Sequence, residues 1–509
     1  MSRTTNVRNG ISMGIINNIL TIVLPFVSRT IIIRQLGIEY VGLGSLFTSI
    51  LQVLSLSELG FGTAIGYLLY KPLADGDSDK VNAILYFFRG IYRIIGVVIL
   101  SLSIVILPFL DNLIAGDVPT GINIYILYII YVINTVISYF FFAYKRILLS
   151  ANQRYDVDVN IASVMLIAQY LIQIITLLLF KNYYIYAIII PMMTLLGNFV
   201  SLYYVNKLFP GYFCSGKLSK EEIRDIMKTT GGAFFSKIGS TVYLSVDSLV
   251  ISAFLGLTVL GTYNNYYYII TSLIAIFAVI HNSLRPVIGN VLVTESEEKS
   301  WNIYKKIHNL YMLLVIVCCS CCLVLFQDFE RIWGGKENLL SFEMVILFVL
   351  YFLFGRIFSV TGVFLEAAGI LWQGKFIPLL SAAINLTLNL ILVQFIGLEG
   401  VMISSIIGFV LVSYPGYTFV IFKYLFQRKE QKKEYLKQML DLLVIFIINV
   451  AMTWLCLNRI MVTGWIGLFF KGIVTLLVSC LLLAICNLRN KYLKEALKSA
   501  IRRVGKQER

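Results

Sequence analysis

The sequence predicts an all-α polytopic membrane protein, and its composition and apolar runs carry this prediction. Of the 509 residues, 59% are hydrophobic and 14% are charged, whereas a soluble domain has about 25% charged residues. Apolar runs longer than about 18 residues, which is the length of a membrane-spanning helix, recur from one end of the chain to the other. These runs lack the alternation of a β-barrel strand, and an open sheet cannot span lipid.

The apolar runs predict about fourteen membrane spans. They lie near residues 10–34, 41–70, 84–110, 122–144, 157–180, 183–206, 230–255, 259–284, 307–327, 340–365, 376–396, 400–422, 439–458 and 464–487. The first run is too long for the core of a signal peptide and has no small-residue cleavage site after it. We therefore expect it to be a retained helix.

The net charge of +15 has an asymmetric distribution. If the N-terminus is cytoplasmic and the spans alternate, most Lys and Arg residues fall on the cytoplasmic side, which predicts that both termini are cytoplasmic. The exceptions lie outside (Arg34, Lys181, Arg331, Lys336, Arg459) or within spans (Arg29, Lys237, Arg356, Lys471). The charge therefore indicates orientation and contact with anionic lipid, above all for the basic tail 488–509, and not nucleic-acid binding.

A short stretch of the sequence occurs twice. Residues 36–45 read LGIEYVGLGS and residues 255–264 read LGLTVLGTYN, so that Leu36, Gly37 and Gly42 recur as Leu255, Gly256 and Gly261. The same register continues through the pairs Lys80 and Lys299, Ile84 and Ile303, and Tyr92 and Tyr311. Spans one to six are therefore predicted to repeat as spans seven to twelve, with a further helix pair at the end. We expect the glycines to allow a tight reversal of the chain at the outer surface.

Because six is an even number, the two repeats are parallel, as in transporters that rock two lobes around a central site. The predicted organisation comprises an N-lobe (1–206), an amphipathic cytoplasmic linker (207–228), a C-lobe (229–422), a basic linker (423–438), a final helix pair (439–487) and the basic tail (488–509).

Charged residues within the spans are the strongest functional signal, because an intramembrane charge costs about 2.5–3.5 kcal/mol and by default marks a site. The candidates for substrate binding are Arg29, Arg34, Glu58, Lys237, Arg285 and Arg356. Arg29, Lys237 and Arg356 form a basic set that suits an anion such as phosphate. The alternative is internal pairing, of Arg29 with Glu58, of Lys237 with Asp247 and of Arg356 with Glu366. Lys471 either snorkels outward or lines a groove in the final helix pair.

A second candidate site contains oxygen ligands. Asn385 and Asn389 lie one turn apart on span eleven, and with Asp247 and Ser405 they could hold a small hard cation. Asparagines also join membrane helices by ordinary hydrogen bonds, so this alternative stays open.

Residues 8–65, which begin RNGISMGIINNILTIVLPFVSRTIIIRQLGIEYVGLG, resemble the N-terminal signature of bacterial polysaccharide-biosynthesis transporters. These are the Wzx-type flippases of the multidrug/oligosaccharidyl-lipid/polysaccharide (MOP) superfamily, with a MATE-like architecture. The resemblance implies that an undecaprenyl-diphosphate-linked oligosaccharide moves across the bacterial cytoplasmic membrane, for capsule, O-antigen or exopolysaccharide assembly. Other polysaccharide-assembly proteins are the implied partners.

The fourteen-span layout is similar to the lipid II flippase branch, whose last two helices form a groove for the lipid tail. That branch has a sodium site, and Asp247, Asn385, Val401 and Ser405 fall in its matching places. Asn389 replaces its second carboxylate, which removes one negative charge. The resemblance thus implies Na⁺ or H⁺ as a coupling ion, with a weakened ligand set.

Other function classes fit the sequence less well. A cation-coupled drug exporter of the same superfamily would need an acidic cavity, whereas basic residues outnumber acidic ones within these spans. A membrane glycosyltransferase or polymerase needs a sizeable loop with catalytic carboxylates, and the longest external stretch, 327–338, is short. We therefore predict a transporter and not an enzyme.

Overall fold

The computed structural model describes residues 3–55, 61–460 and 462–486, and every regular element in them is helical. This confirms the predicted all-α fold. The helices are α1 (Arg3–Gln35), α2 (Ile38–Leu54), α3 (Phe61–Asp75), α4 (Ser78–Ile106), α5 (Ile124–Phe140), α6 (Ile147–Ala151), α7 (Tyr155–Phe180), α8 (Tyr183–Leu208), α9 (Lys220–Thr294), α10 (Glu297–Trp333), α11 (Phe342–Ile357), α12 (Ser359–Ala367), α13 (Ile377–Gly408), α14 (Tyr414–Tyr424), α15 (Lys429–Leu457) and α16 (Gly464–Cys486).

By length and composition, 10 described helices can cross a membrane, or up to 11 if the bent pair Ile124–Phe140 and Tyr144–Ala151 is one span. Two of the ten, of 58 and 53 residues, are long enough to cross twice. Each contains one break, at Gly256 in α9 and at Ile396–Gly397 in α13. The protein is therefore polytopic, and the count of fourteen spans stays a prediction.

The surface and the interior have the polarity expected of a chain in lipid. Large apolar side chains are exposed on the helices, among them Phe395 (79%), Ile466 (77%) and Leu179 (71%). Fully buried side chains include the amides of Asn385, Asn389 and Asn449. Because the bilayer core offers no hydrogen-bond partners, polar groups on such helices turn toward other helices.

The chain divides into two compact units, Met1–Asn264 and Asn265–Arg509. The first unit thus includes the part of α9 that precedes residue 265, which the sequence assigns to the C-lobe. In this unit α3, α4, α6 and the end of α8 surround one apolar cluster, which contains Ile65, Leu69, Val81, Ile84, Leu85, Phe88, Tyr144, Leu148, Leu149, Ala151 and Val205. The predicted domain boundaries stay predictions.

The repeated glycines have two separate structural roles, both within the first unit. Gly37 (φ 121°) and Gly256 (φ 86°) share a positive φ, which confirms that they turn the chain at equivalent positions. Gly42 and Gly261 instead allow close packing between α2 and α9. A Cβ on Gly42 would overlap the carbonyl oxygen of Leu257, and a Cβ on Gly261 would overlap that of Ile38.

This contact is reciprocal. Ile38 and Leu257 are equivalent positions in the repeat, as are Gly42 and Gly261, so each glycine packs against the counterpart of its own neighbour. Nearby, the Thr258 hydroxyl donates a hydrogen bond to Oε1 of Glu39 at 3.2 Å, again between equivalent positions. The expectation that all the repeated glycines serve the reversal is thus wrong for Gly42 and Gly261, because their short side chains bring two backbones together.

In the second unit α10 packs against both α15 and α16. Polar contacts join these helices near the beginning, middle and end of α10. Glu434 of α15 accepts hydrogen bonds from Trp301 and Lys305, Asn449 bonds to Ser320 of α10 and Ser479 of α16, and Lys471 of α16 bonds to Asp328.

Two predicted loops are partly helical. The basic linker 423–438 becomes helix α15 at Lys429, and this helix packs on α10. The predicted external stretch 327–338 continues α10 as far as Trp333, so the expectation of a loop there is wrong for residues 327–333. Glu330 in this stretch is fully buried.

Candidate substrate and ion sites

Arg29 is half-buried in α1, and the groups that contact it carry no formal charge. Its Nη1 donates a hydrogen bond to the carbonyl oxygen of Asn264 at 3.0 Å. The guanidinium also interacts electrostatically with the hydroxyl groups of Tyr183 and Tyr186 on α8. The alternative partner, Glu58, lies outside the described residues, so both the pairing and the candidate role of Glu58 stay predictions.

Buried polar side chains next to Arg29 join three helices. The hydroxyl groups of Ser28 on α1 and Tyr186 on α8 lie 3.0 Å apart. Gln173 of α7 donates a hydrogen bond to the Tyr186 carbonyl at 3.0 Å. Sequence reasoning missed these residues, although Gln173 is a lone amide in an apolar run and its fully buried side chain must find a protein partner.

Arg34 and Lys237 are exposed. Within the part of the chain that the structure describes, neither side chain forms an ion pair. The alternative pairing of Lys237 with Asp247 is therefore wrong, since these residues lie ten positions apart on one helix and too far apart to meet. The structure leaves both cations accessible, and their role in substrate binding stays a prediction.

Glu366 pairs with a different helix from the one that the sequence suggested. Its Oε2 lies 3.4 Å from Nε2 of His281 and 3.6 Å from Nη1 of Arg285, both on α9. The predicted continuous span 340–365 breaks at Phe358, which separates α11 from α12. Glu366 on α12 therefore does not pair with Arg356 on α11, and the alternative pairing of these two is wrong.

Arg356 lies in the last turn of α11 and is half-buried. Its Nε is buried without a hydrogen-bond partner, and its guanidinium forms no ion pair with any described residue. An uncompensated cation at this depth is costly, which is the property expected of a group that receives an anion from outside the protein.

The structure brings together three of the predicted ion ligands, all fully buried on α13. Asn385 Nδ2 donates to the Ser405 hydroxyl at 2.9 Å, and Asn389 Nδ2 donates to Asn385 Oδ1 at 3.4 Å. Val401, one turn before Ser405, is also fully buried. The three side chains bond to one another across the break at Ile396–Gly397, as asparagines commonly do between membrane helices.

Asp247, the remaining predicted ion ligand, is buried in the first unit. No group of three or more His, Cys, Asp or Glu side chains that could hold a metal ion occurs among the described residues. A cation bound to the predicted set would therefore rely mainly on amide, hydroxyl and carbonyl oxygens, which suit a monovalent ion better than a divalent one.

Lys471 does not snorkel to the surface. Its ammonium group donates hydrogen bonds to Asp328 Oδ2 at 2.6 Å and to the Ile460 carbonyl at 2.8 Å, and its side chain is 3% exposed. Asp328 also pairs with Arg331 at 3.2 Å. The sequence contains a signal for this burial, because Lys471, Thr475 and Ser479 follow one another at one-turn intervals on α16 and all three are buried.

Comparison with solved structures identifies the fold. The chain is similar to the lipid II flippase MurJ in an inward closed conformation, at 16% identity with a TM-score of 0.65, over 94% of this chain and 98% of that chain. It is also similar to an inward-facing multidrug resistance MATE family transporter of the MOP superfamily, at 14% identity with a TM-score of 0.60, over 79% of this chain and 94% of that one. A mutant of the Vibrio cholerae MATE transporter VcmN matches at 14% identity with a TM-score of 0.55, over 84% and 99% of the two chains.

These likenesses show a shared fold, and no curated protein matched the chain. The model of a protein family described as "Polysaccharide biosynthesis protein" matches residues 7–292, which is more than half of the chain. This family and the similar structures are those of transporters and flippases, not of enzymes. The chain therefore belongs to the polysaccharide biosynthesis protein family, and has the fold shared by MurJ and the MATE transporters.

Proposed function

We propose that this protein moves an undecaprenyl-diphosphate-linked oligosaccharide from the cytoplasmic to the outer leaflet by alternating access. The observation that carries the proposal is Arg356, an intramembrane guanidinium without an ion-pair partner among the described residues. A diphosphate head group would supply the missing negative charge, and an arginine presents a planar fork of donors to phosphate oxygens. Family membership supports the glycan part of the substrate.

Arg29 supports the same proposal. Its hydrogen bond goes to a backbone carbonyl, which is a weaker partner for a guanidinium than a charged phosphate oxygen. A substrate head group can therefore compete for this donor. The lipid tail would remain in the bilayer during transport, in agreement with the exposed apolar surface of α16.

The membrane potential favours the loaded step. Moving two negative charges outward across an inside-negative membrane gains about 4–5 kcal/mol per 100 mV. Na⁺ or H⁺ bound near Asp247, Asn385, Asn389, Val401 and Ser405 could drive the return step. Radioactive sodium binding to the purified protein, lost in Asp247→Asn, would support this part of the proposal.

A lipid II flippase is the second candidate, because the likeness to MurJ covers 94% of this chain. The two candidates share the diphosphate head group and differ in the glycan. Complementation of a conditional MurJ-deficient strain distinguishes them, since rescue of growth would assign lipid II as the substrate.

The deciding experiment is export of the cell's polysaccharide by Arg29→Ala. We expect export to stop while the variant remains inserted in the membrane at normal abundance. Arg459→Ala is the matched control, because Arg459 is exposed and forms no ion pair within the described residues. Normal export by Arg29→Ala, or an equal loss in both variants, would contradict the proposed role of Arg29.

A further inference from the structure

The contact between the beginning of α2 and the middle of α9 joins helices that the sequence places in different repeats. We call residues 38–42 and 257–261 the outer clasp, because the sequence predicts that these ends of the spans lie at the outer surface. The contact rests on two close approaches of backbone to backbone, at Gly42 and Gly261, and on one side-chain hydrogen bond, from Thr258 to Glu39.

The clasp depends on the absence of side-chain atoms at two positions. A Cβ on Gly42 would meet the backbone of Leu257 and lie 3.3 Å from the nitrogen of Gly261. Backbone atoms cannot turn aside as the end of a long side chain can, so even one added carbon would force α2 and α9 apart. Small residues at helix contacts commonly serve such close packing in membranes.

Arg29 connects the clasp to the proposed substrate site. The carbonyl group that it holds belongs to Asn264, one turn beyond Gly261 on the same segment of α9. The amide of Asn264 bonds back to the Leu260 carbonyl at 2.9 Å, which keeps this turn of the helix intact. The Arg29 hydrogen bond therefore ties α1 to the turn of α9 that packs against α2.

We propose that the outer clasp is a closed gate and that Arg29 couples head-group capture to its opening. This inference rests on the proposed function. When Arg29 turns toward a diphosphate group, it releases the Asn264 carbonyl, and the clasp loses its connection to α1. The remaining contact contains a single side-chain hydrogen bond and can then separate. In the absence of an anionic head group, the clasp stays shut.

The first arm of the test is cross-linking in cells. Cysteines are placed by Glu39→Cys and Thr258→Cys in a full-length chain whose eight native cysteines are replaced by alanine, after that chain is shown to export polysaccharide. A short bis-methanethiosulfonate reagent should join the pair and stop export, and a reducing agent should restore it. Normal export by fully cross-linked protein would overturn the gate.

The second arm measures coupling in the purified protein, and it needs no glycan. Undecaprenyl diphosphate should slow the cross-linking, whereas phosphatidylcholine should not. The effect should disappear in Arg29→Ala. Cross-linking that undecaprenyl diphosphate leaves unchanged, or slows equally without Arg29, would overturn the coupling. If deletion of the protein leaves export intact, the proposed function fails while this arm still decides the inference.

A glycine pair supplies a matched control. Gly42→Ala should lower the cross-linking rate by about tenfold or more, as expected for a contact shifted toward its open state. Gly90→Ala makes the same change in α4, where a Cβ would have nothing within 4 Å, and should leave the rate unchanged. Equal rates in the two variants, at equal abundance in the membrane, would show that the glycine contact does not hold the clasp.

Discussion

Two cations inside membrane helices, Lys471 and Arg356, differ in what surrounds them. Lys471 is 3% exposed and bonds to the carboxylate of Asp328 and to the Ile460 carbonyl. Arg356 is half-buried and has neither an ion pair nor a hydrogen bond to its Nε among the described residues. Both looked alike in the sequence, as single charges within apolar runs. The comparison teaches that an intramembrane charge indicates a binding site only once its partners are known.

The largest effect on stability is expected for Lys471→Met. This change leaves Asp328 buried without its principal partner, and breaking a buried ion pair costs about 3–5 kcal/mol. The free energy of unfolding in detergent, compared with that of Arg459→Met, measures the effect. An unfolding free energy equal to that of the control would mean that the Lys471–Asp328 pair does not stabilise the fold.

An intermediate effect is expected for Asn449→Leu. Its Oδ1 accepts hydrogen bonds from Ser320 and Ser479, and its Nδ2 donates to the Ser479 carbonyl. Hydrogen bonds between membrane helices contribute about 0.6 kcal/mol on average and about 1.7 kcal/mol at most, so we expect a loss of about 1–2 kcal/mol. Ser479→Ala, which removes only a hydroxyl, should lose less. A larger loss in Ser479→Ala would show that Asn449 is not the centre of this network.

A small effect is expected for Glu366→Gln. Its side chain is 28% exposed and Arg285 is 56% exposed, and ion pairs in such positions contribute less than about 1 kcal/mol. The change in unfolding free energy should therefore approach the error of the measurement. A loss as large as that of Lys471→Met would place Glu366 among the buried structural charges.

The smallest effect on stability, with the largest contrast in function, is expected for Arg356→Met. No described residue loses an ion pair, so the unfolding free energy should change by no more than about 0.5 kcal/mol, as for a change away from structural contacts. Polysaccharide export should nevertheless be lost, and Arg356→Lys should retain part of it because the charge remains. Normal export by Arg356→Met would remove Arg356 from the substrate site.

Much of the fold could be predicted because composition and hydropathy report directly on the bilayer. The apolar runs predict helices wherever the structure describes them, and the repeat of Gly37 as Gly256 predicts two turns with the same positive φ. The role of Gly42 could not be predicted, because the sequence shows that a glycine recurs and not which backbone lies against it. Its partner on α9 lies more than 200 positions away.

The candidate site was predicted in its members and not in its pairings. The charges of the spans were identified correctly because each interrupts an apolar run. Glu366 was assigned to Arg356 because the two lie on one predicted span, whereas the break at Phe358 directs Glu366 to His281 and Arg285. Hydropathy predicts that a helix crosses the membrane, but contains no information about its neighbours, so Asp328 could not be assigned to Lys471.

The reciprocal packing of Gly42 and Gly261 has the symmetry of an isologous interface, in which two identical subunits use the same surface. A six-helix ancestor that paired with a second copy of itself would have used one glycine twice, and a single mutation would have changed both halves of the interface. Fusion of two copies into one gene removes that constraint. Glu39 now faces Thr258 where a homodimer would have placed two identical side chains, so the fused protein can carry a charge on one side only.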